Sequence, residues 1–184
     1  MKATALAIPE IILFEPKVFG DERGFFFESF NKNNFNITTG ISPTFVQDNH
    51  SKSTQGVLRG LHYQLPPFDQ SKLIRAINGS ILDVVVDIRQ SSPTFGKHVA
   101  VELTSENKCQ LFVPSGFAHG FVVLSDKAII TYKVDNYYSK KLDRGIAFND
   151  EDLSIDWIYP LSEIKISNKD KLHPKLSDAI DLFK

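Results

Sequence analysis

The chain has 184 residues and a formal net charge of -1, from 21 basic and 22 acidic side chains, and is 42% hydrophobic and 11% aromatic. These values exclude a disordered chain and argue against a broad nucleic-acid surface. No apolar run approaches the roughly 18 residues of a membrane span.

In chain order, residues 11–19 and 24–30 are aromatic-rich strand candidates on either side of the turn Phe19-Gly20-Asp21-Glu22. The polar stretch 31–39 is broken by Phe35 and Ile37, and reads as a short helix or as an excursion between strands. Strand patterns resume at 44–49 and 57–64, then at 72–77 and 81–88. Between the last two, Asn78-Gly79 predicts a tight hairpin, because both residues tolerate positive φ. In 81–88, Leu82, Val84, Val86 and Ile88 alternate with Asp83, Val85 and Asp87, the period of a strand with one buried face. Further candidates cover 98–103, 110–113, 120–124 and 128–134, divided by polar turns. Only 176–183 carries a weak helical stripe, from Leu176, Ile180, Leu182 and Phe183. Many short strands at roughly 8–12 residue spacing, without helices between them, predict an all-β sandwich or barrel. No linker or repeat interrupts the sequence, which predicts one domain over residues 1–184. The lone Cys109 cannot form an intrachain disulfide, and residues 1–9 lack the long apolar run of a signal peptide. A cytoplasmic protein is expected.

Two of the five histidines stand out by context. His62 lies in Leu58-Arg59-Gly60-Leu61-His62-Tyr63-Gln64, and His119 in Pro114-Ser115-Gly116-Phe117-Ala118-His119-Gly120. Each could simply pin a strand end. On a regular strand Arg59 and His62 fall on opposite faces, unless Gly60 marks a bulge. A cupin-type jelly-roll metal site would need two closely spaced histidines and a glutamate from one strand pair, with another histidine elsewhere. The segment ending in His119 resembles the second element, but no partner group surrounds His62, so no metal site is expected. The histidines are then free for acid–base work. Arg23, Gln47, Asp48, Asn49, Arg59, Lys72, Tyr132 and Tyr138 lie in or beside apolar strands, where rigid backbone could direct them into a pocket. The polar segment Ser167-Asn168-Lys169-Asp170-Lys171 reads by itself as a solvated surface loop. No Gly-rich dinucleotide or P-loop motif occurs, and no serine elbow.

Almost the whole chain resembles the dTDP-4-dehydrorhamnose 3,5-epimerases. The resemblance is carried by the runs Phe14–Ser29, Phe45–Ser51 and Val57–Gln64. It continues in Asp87-Ile88-Arg89, Ser92–Gly96, Pro114–Phe121, and Tyr132-Lys133 with Asn136-Tyr137-Tyr138. It implies a cupin-type jelly roll with short peripheral helices, forming a homodimer. It implies C3 and C5 epimerisation of dTDP-4-dehydro-6-deoxy-D-glucose, on the route to dTDP-L-rhamnose and without a cofactor.

By the same resemblance, His62 matches the catalytic base and Asp170 the carboxylate that orients it. Tyr132 matches the general acid, and Lys72 the cation near the C4 oxygen. His119 matches a residue lining the sugar pocket. Arg23, Glu28, Gln47, Asp48, Asn49, Arg59 and Lys169 match positions that hold the nucleotide and diphosphate, and Tyr138 one that stacks on thymine. Asp143 stands where relatives often carry Glu, one methylene longer. The chemistry is consistent with these types: a neutral imidazole titrates near working pH, a tyrosine is protonated there, and a fixed cation stabilises a developing enolate.

Overall fold

The computed structural model describes residues 1–184. Its elements are β1 (Lys2–Ala5), β2 (Ile12–Glu15), β3 (Phe19–Asp21), β4 (Gly24–Phe26), α1 (Lys32–Thr39), β5 (Gln47–Thr54), β6 (Leu58–Gln64), β7 (Lys72–Asn78), β8 (Ser80–Asp87), β9 (His98–Thr104), β10 (Gln110–Val113), β11 (Phe117–Val123), β12 (Lys127–Val134) and β13 (Asp143–Gly145). Short 3-10 turns occupy Leu161–Glu163, Asp170–Leu172 and Leu176–Asp178. One antiparallel sheet has the order β1-β2-β10-β7-β12-β5, and a second has β13-β6-β11-β8-β9. Hairpin β3–β4 stands apart. The two sheets pack face to face as a jelly roll. No helix is long and apolar enough to cross a membrane.

Side-chain alternation explains the layers. Ile74 and Ala76 on β7, Ile81 and Val85 on β8, Phe117 and Phe121 on β11, and Ala128 and Ile130 on β12 form the cluster between the sheets. The opposite face of the second sheet is covered by the chain after β13. Leu82, Val84 and Val86 pack there with Ile146, Leu153, Trp157 and Leu176. Strand β8 is therefore buried on both faces, not on one as its alternation predicts. Asp83 and Asp87 are wholly enclosed and satisfied by polar partners. Under α1, Phe14, Phe35, Leu73 and Phe112 make a smaller cluster.

Several boundaries differ from expectation, each for a local reason. Asn78-Gly79 does not join a hairpin: β7 and β8 lie in different sheets. Gly79 does adopt positive φ (75°), but the bend turns the chain from one sheet to the other beside Lys127. The single strand predicted over 11–19 is cut at Pro16, which cannot donate to a ladder, into β2 and β3. The polar stretch 31–39 is a helix: the Asn31 side chain accepts from the Asn34 N–H, and Gly40 closes it in the left-handed region at φ 71°. The predicted helix over 176–183 is only one 3-10 turn. Asp150 accepts the Leu176 N–H at 2.7 Å, and Phe183 bridges to Arg89, so the segment is held extended.

Candidate active site

A bulge in β6 decides what faces the interior. His62 pairs with His119, but Arg59 pairs with Phe121, so three steps on β6 match two on β11. The extra residue places Arg59 and His62 on the same inner face. Gly60 carries the irregularity at φ 137°, and a Cβ there would come 2.5 Å from the Gly120 Cα. A side chain at 60 is excluded both by conformation and by space.

The inner faces of β6 and β12 belong to opposite sheets, and both open onto one cleft of about 450 Å³. His62 and His119, paired on neighbouring strands of one sheet, line one wall, and Tyr132 and Lys72 of the other sheet line the opposite one. The cleft continues past His62, Lys72, Tyr132 and Lys169 toward Gln47, Asn49, Tyr138 and Asp143.

His62 is half-buried, and its Nε2 lies 2.8 Å from Asp170 Oδ1. Asp170 is 5% exposed, so segment 167–171 is not the fully solvated loop that its polarity suggests. Burial pushes the Asp170 carboxyl up. Its contacts with His173 and His62, and the Gly60 N–H at 3.4 Å from Oδ2, outweigh that and hold it far below the usual carboxylate range. An ionised carboxylate can only accept hydrogen bonds, so His62 Nε2 carries the proton, and in the neutral ring that leaves the lone pair on Nδ1. His173 approaches the same Oδ1 at 3.5 Å. The ligand atoms of His62, Asp170 and His173 lie within 4.8 Å of one another. A metal held by all three would replace the His62–Asp170 hydrogen bond. His173 is far from His62 and His119 in sequence, so their spacing gives no sign of this group.

Lys72 Nζ lies 3.4 Å from the His62 carbonyl oxygen. Its accessible part faces the cleft, and the surrounding protein desolvates the ammonium and lowers its pKa to about 8, against the opposing pull of Asp83 and Asp143. His119 is buried, and its Nε2 meets both oxygens of Asp83, at 2.9 and 3.0 Å. Burial lowers its pKa despite that carboxylate, which favours neutral imidazole. Burial raises the Tyr132 phenol, with Arg59 pulling it down, so the hydroxyl is protonated at neutral pH.

At the outer end, Gln47 donates to Asn49 at 2.8 Å, and Tyr138 donates to Asp143 Oδ2 at 2.9 Å. Lys169 pairs with the same Asp143 oxygen. Asp143 thus ties a cation and an aromatic together, despite its shorter side chain. Arg59 lies at the other end, donating to Ser53 at 3.1 Å. Ser51, Lys165 and Ser167 also line the cleft, and of these Lys165 and Ser167 carried no distinguishing sequence signal. The even alternation of β5 could have pointed to Ser51, two residues after Asn49.

Three predicted residues are not at this cleft. Asp48 has the opposite strand parity to Gln47 and Asn49 and pairs with Lys133 at 2.9 Å. Glu28 accepts from Asn31 and Asn34 at the start of α1. Arg23 sits on hairpin β3–β4, paired with Asp21, beside exposed Phe19, Phe25 and Phe26.

The sequence matches the family model described as dTDP-4-dehydrorhamnose 3,5-epimerase over residues 5–178. It is 56% identical over 179 residues to the dTDP-4-dehydrorhamnose 3,5-epimerase of Shigella flexneri, covering 97% of this chain and 98% of that one. Its structure is similar to a dTDP-6-deoxy-D-glucose-3,5-epimerase from Legionella pneumophila in complex with dTDP-4-keto-L-rhamnose. That match has TM-score 0.95 and 45% identity, and covers 100% and 97% of the two chains. It is also similar to a 3'-monoepimerase from Streptomyces bikiniensis in complex with dTDP-quinovose, at TM-score 0.87 and 32% identity over 94% and 86%. With sequence and fold matched across nearly its whole length, the chain belongs to the dTDP-4-dehydrorhamnose 3,5-epimerase family.

Proposed function

We propose that the protein inverts C3 and C5 of dTDP-4-dehydro-6-deoxy-D-glucose, giving dTDP-4-dehydro-L-rhamnose for dTDP-L-rhamnose synthesis. The observation that carries this reading is the Asp170-supported His62 facing Tyr132 from the opposite sheet, with Lys72 beside them. Inversion at a carbon next to a carbonyl needs a base on one face of the sugar and an acid on the other.

His62 Nδ1 takes the proton from C3 or C5, and the electron pair moves into the C4 carbonyl as an enolate. Asp170 stabilises the resulting imidazolium through Nε2. The Lys72 ammonium stabilises the enolate oxygen, a cation fixed before charge develops. The Tyr132 hydroxyl then delivers a proton to the opposite face, and solvent resets both groups. Protons and electrons balance without an added cofactor. Neutral His119, fixed by Asp83, offers its remaining ring nitrogen to the sugar. Arg59, Lys165 and Lys169 suit the diphosphate, while Gln47, Asn49 and Tyr138 suit the nucleoside.

The reading includes a homodimer. Hairpin β3–β4 exposes Phe25 and Phe26 by 63% and 70%, and an apolar surface of this kind favours burial against a second copy. Arg23 and Glu28, away from the cleft of their own chain, would then contribute to a nucleotide site only through that contact. A cytoplasmic location is supported by the lone thiol of Cys109.

Proton NMR of the product tests the activity. Inversion at both carbons is expected. Inversion at C3 alone would favour the second reading, prompted by the likeness to the 3'-monoepimerase. An unchanged sugar would contradict both.

A further inference from the structure

We propose that His173 is a positioning residue that fixes Asp170 behind His62. This rests on the reading of His62 and Asp170 as the base pair. His173 follows the 3-10 turn that carries Asp170, and its side chain is only 10% exposed. Its Nε2 is fully buried and has no well-aligned hydrogen-bond partner, an expensive state for a polar atom. The acceptor it approaches is Asp170 Oδ1 at 3.5 Å, the same oxygen that meets His62 Nε2 at 2.8 Å. The two imidazoles pack edge to face, with centroids 5.6 Å apart and planes at 81°.

The fold leaves a recess for this ring. Gly145 on β13 stands opposite His62 in the sheet register, and a Cβ at that position would clash with the His173 ring, lying under 3 Å from its Nε2. His173 does not line the cleft, so it reaches the reaction only through Asp170. During turnover the His62 ring also becomes charged, so its hydrogen bond to the Asp170 carboxylate, already charge-assisted, strengthens. The carboxylate must then keep Oδ1 on His62 while the Gly60 N–H faces Oδ2. An Nε2–H of His173 closing on Oδ1 restricts rotation of the carboxylate and holds it in that orientation. The sequence alone gives no sign of this, because residue 173 is distant from the His62 segment.

The test is steady-state kinetics on the dTDP-linked 4-keto sugar, with folding followed by circular dichroism. His173→Leu is expected to lower kcat roughly tenfold, the scale of one hydrogen bond, with KM within about twofold. His173→Gln places an amide N–H near the Nε2 position and is expected to restore most of the loss. Gly145→Ala displaces the ring while leaving the imidazole intact, and is expected to match His173→Leu. Should His173→Leu fail to fold, the Gln and Gly145 variants decide the matter. Wild-type kcat in a folded His173→Leu or Gly145→Ala protein would overturn the proposal, as would a change in KM alone. A folded Gln variant no better than Leu would also overturn it. Asp170→Asn separates the two levels: full activity there removes the base-pair reading, while a loss there with none at residue 173 removes only this inference.

Discussion

The cleft and the β3–β4 hairpin hold their cations in opposite ways. In the cleft, Lys72 and Arg59 are set by strand register, a bulge and the packing of two sheets. Their neighbours His62, His119 and Tyr132 are half-buried or buried, and each histidine has a carboxylate partner. On the hairpin, the Arg23 side chain is 84% exposed and its only ion pair is with Asp21, two residues away. No part of the inter-sheet core supports that strand pair. The contrast teaches that the residues proposed for proton transfer all come from one copy, whereas the predicted nucleotide contacts are divided between rigid strands and a hairpin outside the inter-sheet core.

Breaking the rigid half should have the largest effect. His62→Ala is expected to lower kcat by about 10²–10⁴, the usual contribution of a general base, without unfolding the half-exposed site. Kinetics with circular dichroism checks this. Next comes Gly60→Ala, which attacks the bulge and not the chemistry. The clash with Gly120 and the φ of 137° are expected to cost on the order of 1–3 kcal/mol in a denaturant melt. Any folded fraction should lose activity, because Arg59 and His62 could no longer share a face.

A smaller, continuous effect follows from Lys72. Its folded pKa of about 8 lies below the 10.5 of an exposed lysine. Between those values the unfolded chain binds more protons, so stability rises with pH across the window. The cation proposed to stabilise the enolate is lost over the same window. Activity is therefore expected to fall as pH rises through about 8 while the melting temperature does not fall from this group. Lys72→Arg should move that alkaline fall upward, since guanidinium keeps its charge. The smallest effect is expected from Arg23→Ala. Loss of an exposed contact supplied from a peripheral hairpin should raise KM several-fold and leave kcat nearly unchanged. An equal loss of kcat would erase the distinction between the two regions.

Much of the rigid half was legible in the sequence because strand chemistry is local. Short runs rich in aromatic or β-branched residues marked β6, β7 and β12, and Gly60 already suggested the bulge that joins Arg59 to His62. Asp170 came only from family resemblance: its own polar surroundings suggest solvent, and its burial depends on β6, far away in sequence. Asn78-Gly79 shows the complementary limit. The residues encode a positive-φ bend, but whether the next strand pairs back or crosses to another sheet depends on long-range partners, β9 to β12. The same holds for β8, whose outer face is buried only because Trp157 and Leu153 return to cover it. His173 was invisible for the same reason.

The central claim is that His62 and Tyr132 work on opposite faces of one sugar. Solvent deuterium uptake tests it most directly. In D2O, the wild-type protein is expected to place deuterium at C3 and C5 of the product, and His62→Ala to place it at neither. Tyr132→Phe is expected to impair product formation far more than proton removal, so deuterium should appear in recovered, uninverted substrate. Wild-type exchange by His62→Ala, or full inversion by Tyr132→Phe, would contradict the account.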